Sequence, residues 1–287
     1  MNGILLVNKP NGFTSHDVVY YIKKKFNFKK VGHTGTLDPF ADGLLIILIN
    51  NATKLAYLFD SLDKEYQGEI LFGKEYDTND TTGNVTHEKD ANFDLTKLKL
   101  AIEKITPSYL QIPPDYSAVK KDGIKAYQKA REGKPLNLKA REVYIYNFEI
   151  INFEKSLTFK TKVSKGTYIR SIARDLGHSL NTYGSLHKLT RTKINDYHLN
   201  EATNLEDLTL DKLISDREIF KNYPKIKFND YISRLIANGT HLDNRNTDIQ
   251  KNFIATNQLD EYLAYYEYIN QKYIPKYFFK KDLNENN

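Results

Sequence analysis

The chain has 287 residues, 40% of them hydrophobic, which is enough to bury the core of one large domain, alone or with a small appendage. It contains no cysteine, which excludes disulfides, thiolate nucleophiles and cysteine-based metal sites and favours a cytoplasmic location. The net charge of +6 favours a polyanionic partner, although an AT-rich genome would also supply many lysines. The first residues, MNGILLVNKPNG, carry neither a bilayer-spanning run nor a secretory signal, so we expect no membrane association.

The first fifty residues alternate apolar runs with turns. Residues 4–8 (ILLVN) predict a first strand that leads into a loop. Residues 16–26 carry apolar side chains at helical spacing and predict a helix capped by Thr14 or Ser15. The continuous apolar run LLIILIN, residues 44–50, is typical of a strand.

Further strands and helices follow in mixed order. Residues 65–73 and 157–172 contain the alternation of half-buried strands. Residues 95–105 and 168–180 have helical spacing. This order predicts an α+β fold, with a mixed, largely antiparallel sheet flanked by helices.

The stretch GHTGTLDPFADGLL, residues 32–45, sets Asp38 between a glycine-punctuated turn and an apolar run. No G-K-[ST] follows and the glycines are not spaced as G-x-G-x-x-G, which argues against a nucleotide-binding loop. His33, Asp38 and Asp42 match no metal-site spacing, and both acids lie in turn-forming Asp-Pro and Asp-Gly pairs. Taken alone, these residues favour a structural role for Asp38.

Over its whole length, however, this motif resembles the signature of the pseudouridine synthases, in particular the tRNA pseudouridine-55 synthase branch, which reads G-H-T-G-x-L-D-P-x-A-x-G-x-L. Three further blocks resemble that branch and occur in its order: LLVNKPNGFTSHDVV, KEYQGEILFGKEYDTNDTTG and SKGTYIRSIARDLG. The resemblance implies the pseudouridine synthase fold and an isomerase acting on the T-loop uridine, position 55, of tRNA. Such an enzyme flips the base out, breaks the N1-glycosidic bond and rejoins the base through C5, and it needs no metal or other cofactor.

The resemblance also implies three catalytic residues. Asp38 is the catalytic carboxylate, Tyr66 the ring stacked on the target base, and Arg170 the cation that pairs with Asp38. A buried carboxylate needs such a partner because an opposite charge offsets its desolvation. Without the resemblance, Arg170 would be taken as a surface residue and Tyr66 as core. Addition to the base, attack at C1′ and removal of the 2′ proton to give a glycal stay open, with family chemistry favouring the glycal.

Other positions are implied to bind RNA. His33 fills space vacated by flipped nucleotides, Lys9 supports the motif loop, Tyr168 lines the pocket, and Leu189 forms an apolar wall. Residues 112–140 match the family insertion that clamps the T-arm, although a solvated basic helix is the simpler alternative. The basic residues expected to bind RNA in this segment are Lys120, Lys121, Lys125, Lys129 and Arg131.

We expect a catalytic domain over residues 1–222 and a reduced PUA-like RNA-binding domain over residues 223–287. In the second, KIKFNDYISRLIANGTHL and a late IPKYFF follow the pattern of a helix, an Asn-Gly turn and a closing strand, with an eroded, Asn-rich stretch between them. A mere packing appendage is the alternative. Residues 282–287 are expected to be disordered.

The expected partner is the T-arm of tRNA, bound by a monomer without an obligate protein partner. An RNA-binding or RNA-chaperone module would need the basic clamp but not Asp38. A guide-RNA-dependent pseudouridine synthase would need protein partners, and the first strand lies at the extreme N-terminus without the extension of those relatives, which favours a stand-alone bacterial enzyme. A phosphate-loop hydrolase is a more distant alternative.

Overall fold

The computed structural model describes residues 1–279, so the expected disorder at 282–287 lies outside the described residues. The strands are β1 (Gly3–Lys9), β2 (Val31–Thr34), β3 (Asp42–Ile49), β4 (Lys64–Phe72), β5 (Lys74–Tyr76), β6 (Val85–Glu88), β7 (Ser108–Gln111), β8 (Lys120–Lys121), β9 (Ile124–Lys125), β10 (Arg141–Phe153), β11 (Ser156–Val163), β12 (Gly184–Ile194), β13 (Tyr197–His198), β14 (Thr203–Asn204), β15 (Ile214–Ser215), β16 (Lys225–Lys227), β17 (Phe253–Thr256), β18 (Tyr262–Ile269) and β19 (Lys272–Phe278). The α-helices are α1 (Ser15–Phe26), α2 (Ala56–Asp60), α3 (Leu95–Glu103), α4 (Ala126–Arg131), α5 (Ile169–Ser179), α6 (Asp216–Ile219) and α7 (Asp230–Ala237).

The main sheet has the central strand order β14-β1-β3-β12-β4-β11-β10-β7, with β2, β13 and β15 attached at its sides. Within it, β1–β14 and β3–β12 are parallel pairs, and the other pairs are antiparallel. The mixed, largely antiparallel sheet predicted from the sequence is therefore confirmed.

Strand β3 explains why the run LLIILIN is apolar without alternation. Its even-numbered residues pack in a cluster shared with the C-terminal aromatic residues, and its odd-numbered residues pack against α1. Both faces are thus buried, and each such side chain contributes about 1.5–3 kcal/mol of transfer free energy. The two sets are Leu44, Ile46 and Leu48 on one face and Leu45, Ile47 and Ile49 on the other.

Helix α1 begins one residue before the predicted start because Thr14 forms a capping box. The Thr14 hydroxyl accepts a hydrogen bond from the Asp17 N–H at 3.0 Å, and the Asp17 carboxylate accepts one from the Thr14 N–H at 2.8 Å. A cap of this kind is worth about 1 kcal/mol. The helix ends at Asn27, whose φ of 52° is left-handed, and the chain then enters β2 and the motif loop.

Helix α5 covers the opposite part of the sheet. Its residues Ile172 and Leu176 are fully buried in a cluster with Ile70, Phe159 and Leu186 from the strands beneath. This packing fixes the helix, which carries Arg170 in its first turn, against β4, β11 and β12.

The C-terminal residues form a separate four-stranded sheet in the order β16-β17-β18-β19, with α7 and an Asn238-Gly239 turn between β16 and β17 in the chain. Strands β17 and β18 lie in the stretch that we interpreted as eroded, so that interpretation missed half of this sheet. The sheet is attached to the main one, because Asn51 Nδ2 donates to the Phe278 carbonyl at 2.9 Å and Tyr277 hydroxyl to Asp216 Oδ2 at 2.5 Å. No helix within residues 1–279 is long and apolar enough to cross a membrane.

Candidate active site

The Asp38 carboxylate lies against the Arg170 guanidinium. Arg170 Nε is 2.9 Å from Asp38 Oδ2, and Nη2 donates to Oδ1 at 3.1 Å. The arginine side chain is 5% exposed and the aspartate side chain 34% exposed. Two-point contact of this kind fixes the orientation of a carboxylate as well as giving it a counter-charge. One side of the Asp38 carboxylate therefore stays open to a ligand.

Arg170 also meets a second carboxylate that sequence reasoning missed. Its Nη1 lies 3.4 Å from Asp80 Oδ2, and both side chains are 5% exposed. Asp80 is held in turn by the Thr82 N–H at 3.0 Å and the Thr78 hydroxyl at 3.0 Å. Asp80 lies in the block KEYQGEILFGKEYDTNDTTG, but a turn-rich acid gives no signal of an arginine ninety residues away.

The remaining donors of Arg170 are used by the backbone. Nη1 donates to the Thr78 carbonyl at 2.8 Å, and Nη2 donates to the Tyr116 carbonyl at 2.9 Å. Tyr116 lies in the inserted segment 112–140, so one side chain joins that segment to the motif loop. Nε lies 2.9 Å from Asp38 Oδ2 but makes no hydrogen bond within residues 1–279, so the buried guanidinium is held by three hydrogen bonds from Nη1 and Nη2 and by ion pairs with two carboxylates.

Tyr66 and Leu189 are buried in an apolar cluster that includes the sequence neighbours of the ion pair. The cluster also contains Leu37, Ala41 and Ile169. Leu37 and Ala41 lie on either side of Asp38 in sequence, and Ile169 precedes Arg170. The Asp38–Arg170 pair is thus joined through its sequence neighbours to the apolar cluster that contains Tyr66 and Leu189.

Lys9 holds the motif loop from β1. Its fully buried ammonium donates to the carbonyls of Phe13 at 2.6 Å, Pro10 at 2.9 Å and Pro39 at 3.4 Å. The Gly12 N–H also donates to the Pro39 carbonyl, at 2.8 Å. Burial lowers the pKa of Lys9 to about 8, with nearby acids opposing the shift. These bonds fix the backbone directly after the aspartate.

Positive charge lies beneath the His-Thr-Gly turn. Arg191 is fully buried and donates from Nε to the Leu44 carbonyl at 2.7 Å. Gly35, with φ of 56°, sits where a Cβ would lie 3.5 Å from Lys64 Cε and 3.6 Å from Arg191 Nη1. Burial lowers the pKa of Lys64 to about 8, and burial with the Arg191 charge lowers the pKa of His33. This positive floor suits a polyanionic substrate, and Arg191 and Lys64 were not singled out from the sequence.

A buried amide fixes the start of α5. Gln111 Oε1 accepts from the Tyr168 N–H at 2.8 Å, and its Nε2 donates to the Tyr168 carbonyl at 3.1 Å. The same Nε2 donates to the Tyr109 hydroxyl at 2.6 Å, which donates to Asp175 Oδ2 at 3.1 Å. The Tyr168 ring lies 5.0 Å from the Arg141 guanidinium. Gln111, also missed from the sequence, thereby fixes the backbone of the SKGTYIR block.

The inserted segment is a β8–β9 hairpin followed by the short helix α4, not one long basic helix. Its root is tied to α5, since the Ile112 carbonyl accepts from Ser171 Oγ at 2.9 Å and Arg174 Nη2 at 3.0 Å. The five basic residues expected to bind RNA all lie on this hairpin and helix.

Their local contacts differ. Lys121 donates to the Asn137 carbonyl, and Lys129 pairs with Glu132 at 2.6 Å. The remaining three are Lys120, which is exposed, and Lys125 and Arg131, whose charges lie over the Tyr127 ring at 5.6 and 5.4 Å. The segment therefore presents positive charge on a compact projection.

No group of three or more histidine or acidic side chains within residues 1–279 is arranged to hold a metal ion.

Comparison with known proteins decides the family. Residues 23–169 match the model of the N-terminal domain of the TruB family pseudouridylate synthases. A protein of Acholeplasma laidlawii named tRNA pseudouridine synthase B is 56% identical over 279 residues, covering 97% of this chain and all of that protein. The chain belongs to the TruB family of pseudouridine synthases. The resemblance inferred from the motif blocks is confirmed.

Other proteins with the same name match at lower identity. Proteins with the same name are 48% identical in Onion yellows phytoplasma, covering 97% of this chain and all of that protein, and 36% identical in Aquifex aeolicus, covering 87% and 90%. Among solved structures, a chain of a Cbf5-Nop10-Gar1 complex has a TM-score of 0.69 at 22% identity, covering 97% of this chain and 84% of that one. A chain of an H/ACA RNP bound to a substrate RNA containing 2′-deoxyuridine has a TM-score of 0.68 at 20% identity, covering 98% and 86%. At these identities the structural matches establish the fold.

Proposed function

We propose that this chain converts the uridine at position 55, in the T-loop of tRNA, to pseudouridine, with Asp38 as the reacting carboxylate. The observation that carries the proposal is the Asp38–Arg170 pair, with one face of the carboxylate open beside the Tyr66 and Leu189 cluster. This arrangement occurs in a chain 56% identical over nearly its whole length to a tRNA pseudouridine synthase B.

The reaction is an isomerisation, so its atoms balance without a co-reactant. The N1–C1′ bond breaks, the base turns, a C5–C1′ bond forms, and the proton lost from C5 is matched by one gained at N1. In one route Asp38 removes the 2′ proton of the ribose as the N1–C1′ bond breaks, which gives a glycal, and returns that proton to C2′ when C5 bonds to C1′. In the other it attacks C1′ as N1 leaves and is displaced by C5, and family chemistry favours the first route. Arg170 keeps the carboxylate aimed at the sugar.

The apolar pocket and the buried positive charges of Arg191 and Lys64 both contribute to base flipping. Extruding a stacked base costs a few kcal/mol, which stacking on Tyr66 and contact with Leu189 offset. His33, half-buried on β2, fills the space that the flipped nucleotides leave. Lys9 and Tyr168 support the loop and the pocket rim.

The inserted segment clamps the T-arm through Lys120, Lys121, Lys125, Lys129 and Arg131. The C-terminal residues from 223 form an RNA-binding domain of reduced PUA type that adds contacts to the same tRNA. The protein acts in the cytoplasm as a monomer and without a protein partner.

Product mapping tests the function. Purified protein alone is incubated with a tRNA transcript, and pseudouridine is located by carbodiimide treatment and primer extension, with a transcript carrying cytidine at position 55 as control. We expect one modified position, 55, in the first transcript and none in the second. Tight binding without product would favour an RNA chaperone, and product only after adding a guide RNA and proteins would favour the guide-dependent class.

Charge reversal tests the clamp separately. We expect Lys120→Glu with Lys121→Glu to weaken tRNA binding about tenfold or more and to reduce its salt dependence. The matched control is Lys97→Glu with Lys99→Glu on α3, which changes the net charge equally. Equal losses from the two pairs would mean that only net charge matters.

A further inference from the structure

Strand β10 presents two tyrosine rings to solvent beside the active site. Tyr144 is 44% and Tyr146 51% exposed, whereas Val143, which precedes them, and Ile145, which lies between them, are buried. The two rings are nearly parallel, with centroids 6.3 Å apart and planes inclined by 15°. A register shift between Ile145 and Asn147 marks an irregularity in the β10–β11 pairing at Tyr146. Because residues two apart share one face of a strand, the alternation of β10 places both rings side by side on its exposed face.

Each tyrosine hydroxyl is held by a carboxylate, and a lysine lies over one of the two rings. The Tyr144 hydroxyl donates to Glu142 Oε2 at 3.3 Å. Tyr146 hydroxyl donates to Asp63 Oδ1 at 3.3 Å, and the Lys162 ammonium lies 5.7 Å from the Tyr146 ring centroid. The Tyr144 N–H donates to Ser164 Oγ at 3.0 Å, and the Ser164 N–H donates to the Tyr144 carbonyl at 2.9 Å. Pre-ordered rings lose little entropy when they bind a flat ligand.

The position of the pair connects it to the proposed active site. β10 begins where the inserted segment ends, and Ser164 opens the SKGTYIR block that contains Tyr168 and Arg170. Asp63 precedes β4, the strand that carries Tyr66. The pair therefore lies between the root of the clamp and the strand that bears the stacking tyrosine.

We propose that Tyr144 and Tyr146 form a stacking surface for unpaired nucleotides of the RNA substrate, distinct from the pocket for the target uridine. The proposal rests on the function proposed above. RNA fits better than a protein partner, because every base has a π-face that stacks on an exposed ring, and the lysine over the same ring attracts phosphate. Exposed tyrosines with an accompanying cation are the elements of a sequence-tolerant single-strand surface.

The test compares removal of the rings with removal of the hydroxyls. We expect Tyr144→Ala with Tyr146→Ala to weaken binding of a tRNA transcript about 10- to 100-fold, whereas Tyr144→Phe with Tyr146→Phe stays within about threefold. Tyr20→Ala, which removes another exposed tyrosine on α1, is the matched control and should bind normally. The single-turnover rate at saturating protein should stay unchanged, since the pair does not touch the reacting atoms.

Cross-linking identifies the occupant directly. Transcripts carrying 4-thiouridine at single T-loop positions are irradiated with near-ultraviolet light, and we expect mass spectrometry to find the cross-link on the β10 peptide. Wild-type binding by the double alanine variant would overturn the proposal, as would equal losses from alanine and phenylalanine. A change of oligomeric state with unaltered RNA binding would instead assign the surface to a second protein chain. Absence of pseudouridine in the wild-type product assay would refute the proposed function. The binding and cross-linking results would still test whether Tyr144 and Tyr146 bind RNA.

Discussion

Replacing Arg170 by methionine is expected to cost both stability and activity, because one side chain satisfies two carboxylates and two carbonyls. The Asp38 pair is one-third exposed and contributes about 0–1 kcal/mol. The Asp80 pair is buried on both sides, and removing one member of such a pair costs about 3–5 kcal/mol. Two lost hydrogen bonds to carbonyls add about 1 kcal/mol each. We therefore expect a loss of about 5–8 kcal/mol in the free energy of unfolding.

The chain lacks tryptophan, so urea unfolding is followed by far-ultraviolet circular dichroism. Because native domains are stable by only about 5–15 kcal/mol, the single variant is close to the limit of folding. Arg170→Met combined with Asp80→Asn serves as the companion, since it removes the buried charge that the single change leaves unpaired. The double variant should recover at least about 2 kcal/mol relative to Arg170→Met.

Arg170→Lys separates charge from geometry. Lysine keeps the charge but cannot reach both Asp38 oxygens, so we expect a folded protein whose rate of pseudouridine formation falls at least about 100-fold. A loss of less than about 1 kcal/mol in Arg170→Met, or no recovery in the double variant, would refute the argument that the buried pair holds the site together.

Three further predictions follow from the same loops. Burial lowers the pKa of Lys9 from 10.5 to about 8, so between these pH values the unfolded chain keeps a proton that the folded chain has lost, and the free energy of unfolding rises with pH. Lys9→Met should remove at most about 3 kcal/mol of that rise. Urea unfolding at about pH 7.5 and about pH 10 tests this, and an equal rise in the wild-type protein and in Lys9→Met would contradict it. Gly43→Ala should lower the free energy of unfolding by at least about 2 kcal/mol, because the φ of Gly43 is 104° and a Cβ there would lie 2.5 Å from the Arg191 carbonyl oxygen in β12. Gly12→Ala should cost only about 1–2 kcal/mol in the same assay, because Gly12 has a φ of 86° but open space around it. Gln111→Leu should lower kcat at least about tenfold with little change in KM, because it leaves the Tyr168 backbone at the start of α5 without its partners. As a control, Gln67→Leu, at an exposed position of β4, should leave both constants unchanged. A change in KM alone would show that the Gln111 amide acts on binding.

Local patterns predicted the elements that carry the site. The spacing of Val18, Val19 and Ile22 predicted α1, and Thr14 was among the two residues named as its cap. The unbroken apolar run of β3 predicted a strand, because a strand covered on both faces has no polar side to alternate. The α+β class followed from the mixed order of these elements.

Contacts between distant segments could not be predicted from such patterns. Asp80 and Gln111 face Arg170 and Tyr168 only because the sheet brings their loops together, and neither residue has a local signal that separates it from an ordinary turn or strand residue. Arg191 is fully buried, but in the sequence it cannot be distinguished from the other basic residues of its lysine-rich strand. Strands β17 and β18 were missed because neither alternates clearly between polar and apolar residues. Strand β17 has only four residues, all buried, and β18 is rich in tyrosine.

The family blocks supplied what the physics of single residues left open. Asp38 alone is indistinguishable from a turn aspartate, and only the fourteen-residue motif around it pointed to chemistry. The structure pairs Arg170 with that carboxylate and buries Tyr66 and Leu189 in the apolar cluster that contains Leu37, its neighbour in sequence. Their roles in the reaction are testable one by one.

The most direct measurement of the central claim is tritium release from a tRNA transcript labelled at C5 of uridine, with wild-type protein and Asp38→Asn compared at equal concentration. Because C5 loses its proton when it joins C1′, release reports the reaction itself. The account predicts release by the wild-type protein and none by Asp38→Asn, although the variant still binds the transcript. Release by both proteins would show that another group performs the chemistry, and release by neither would contradict the proposed function.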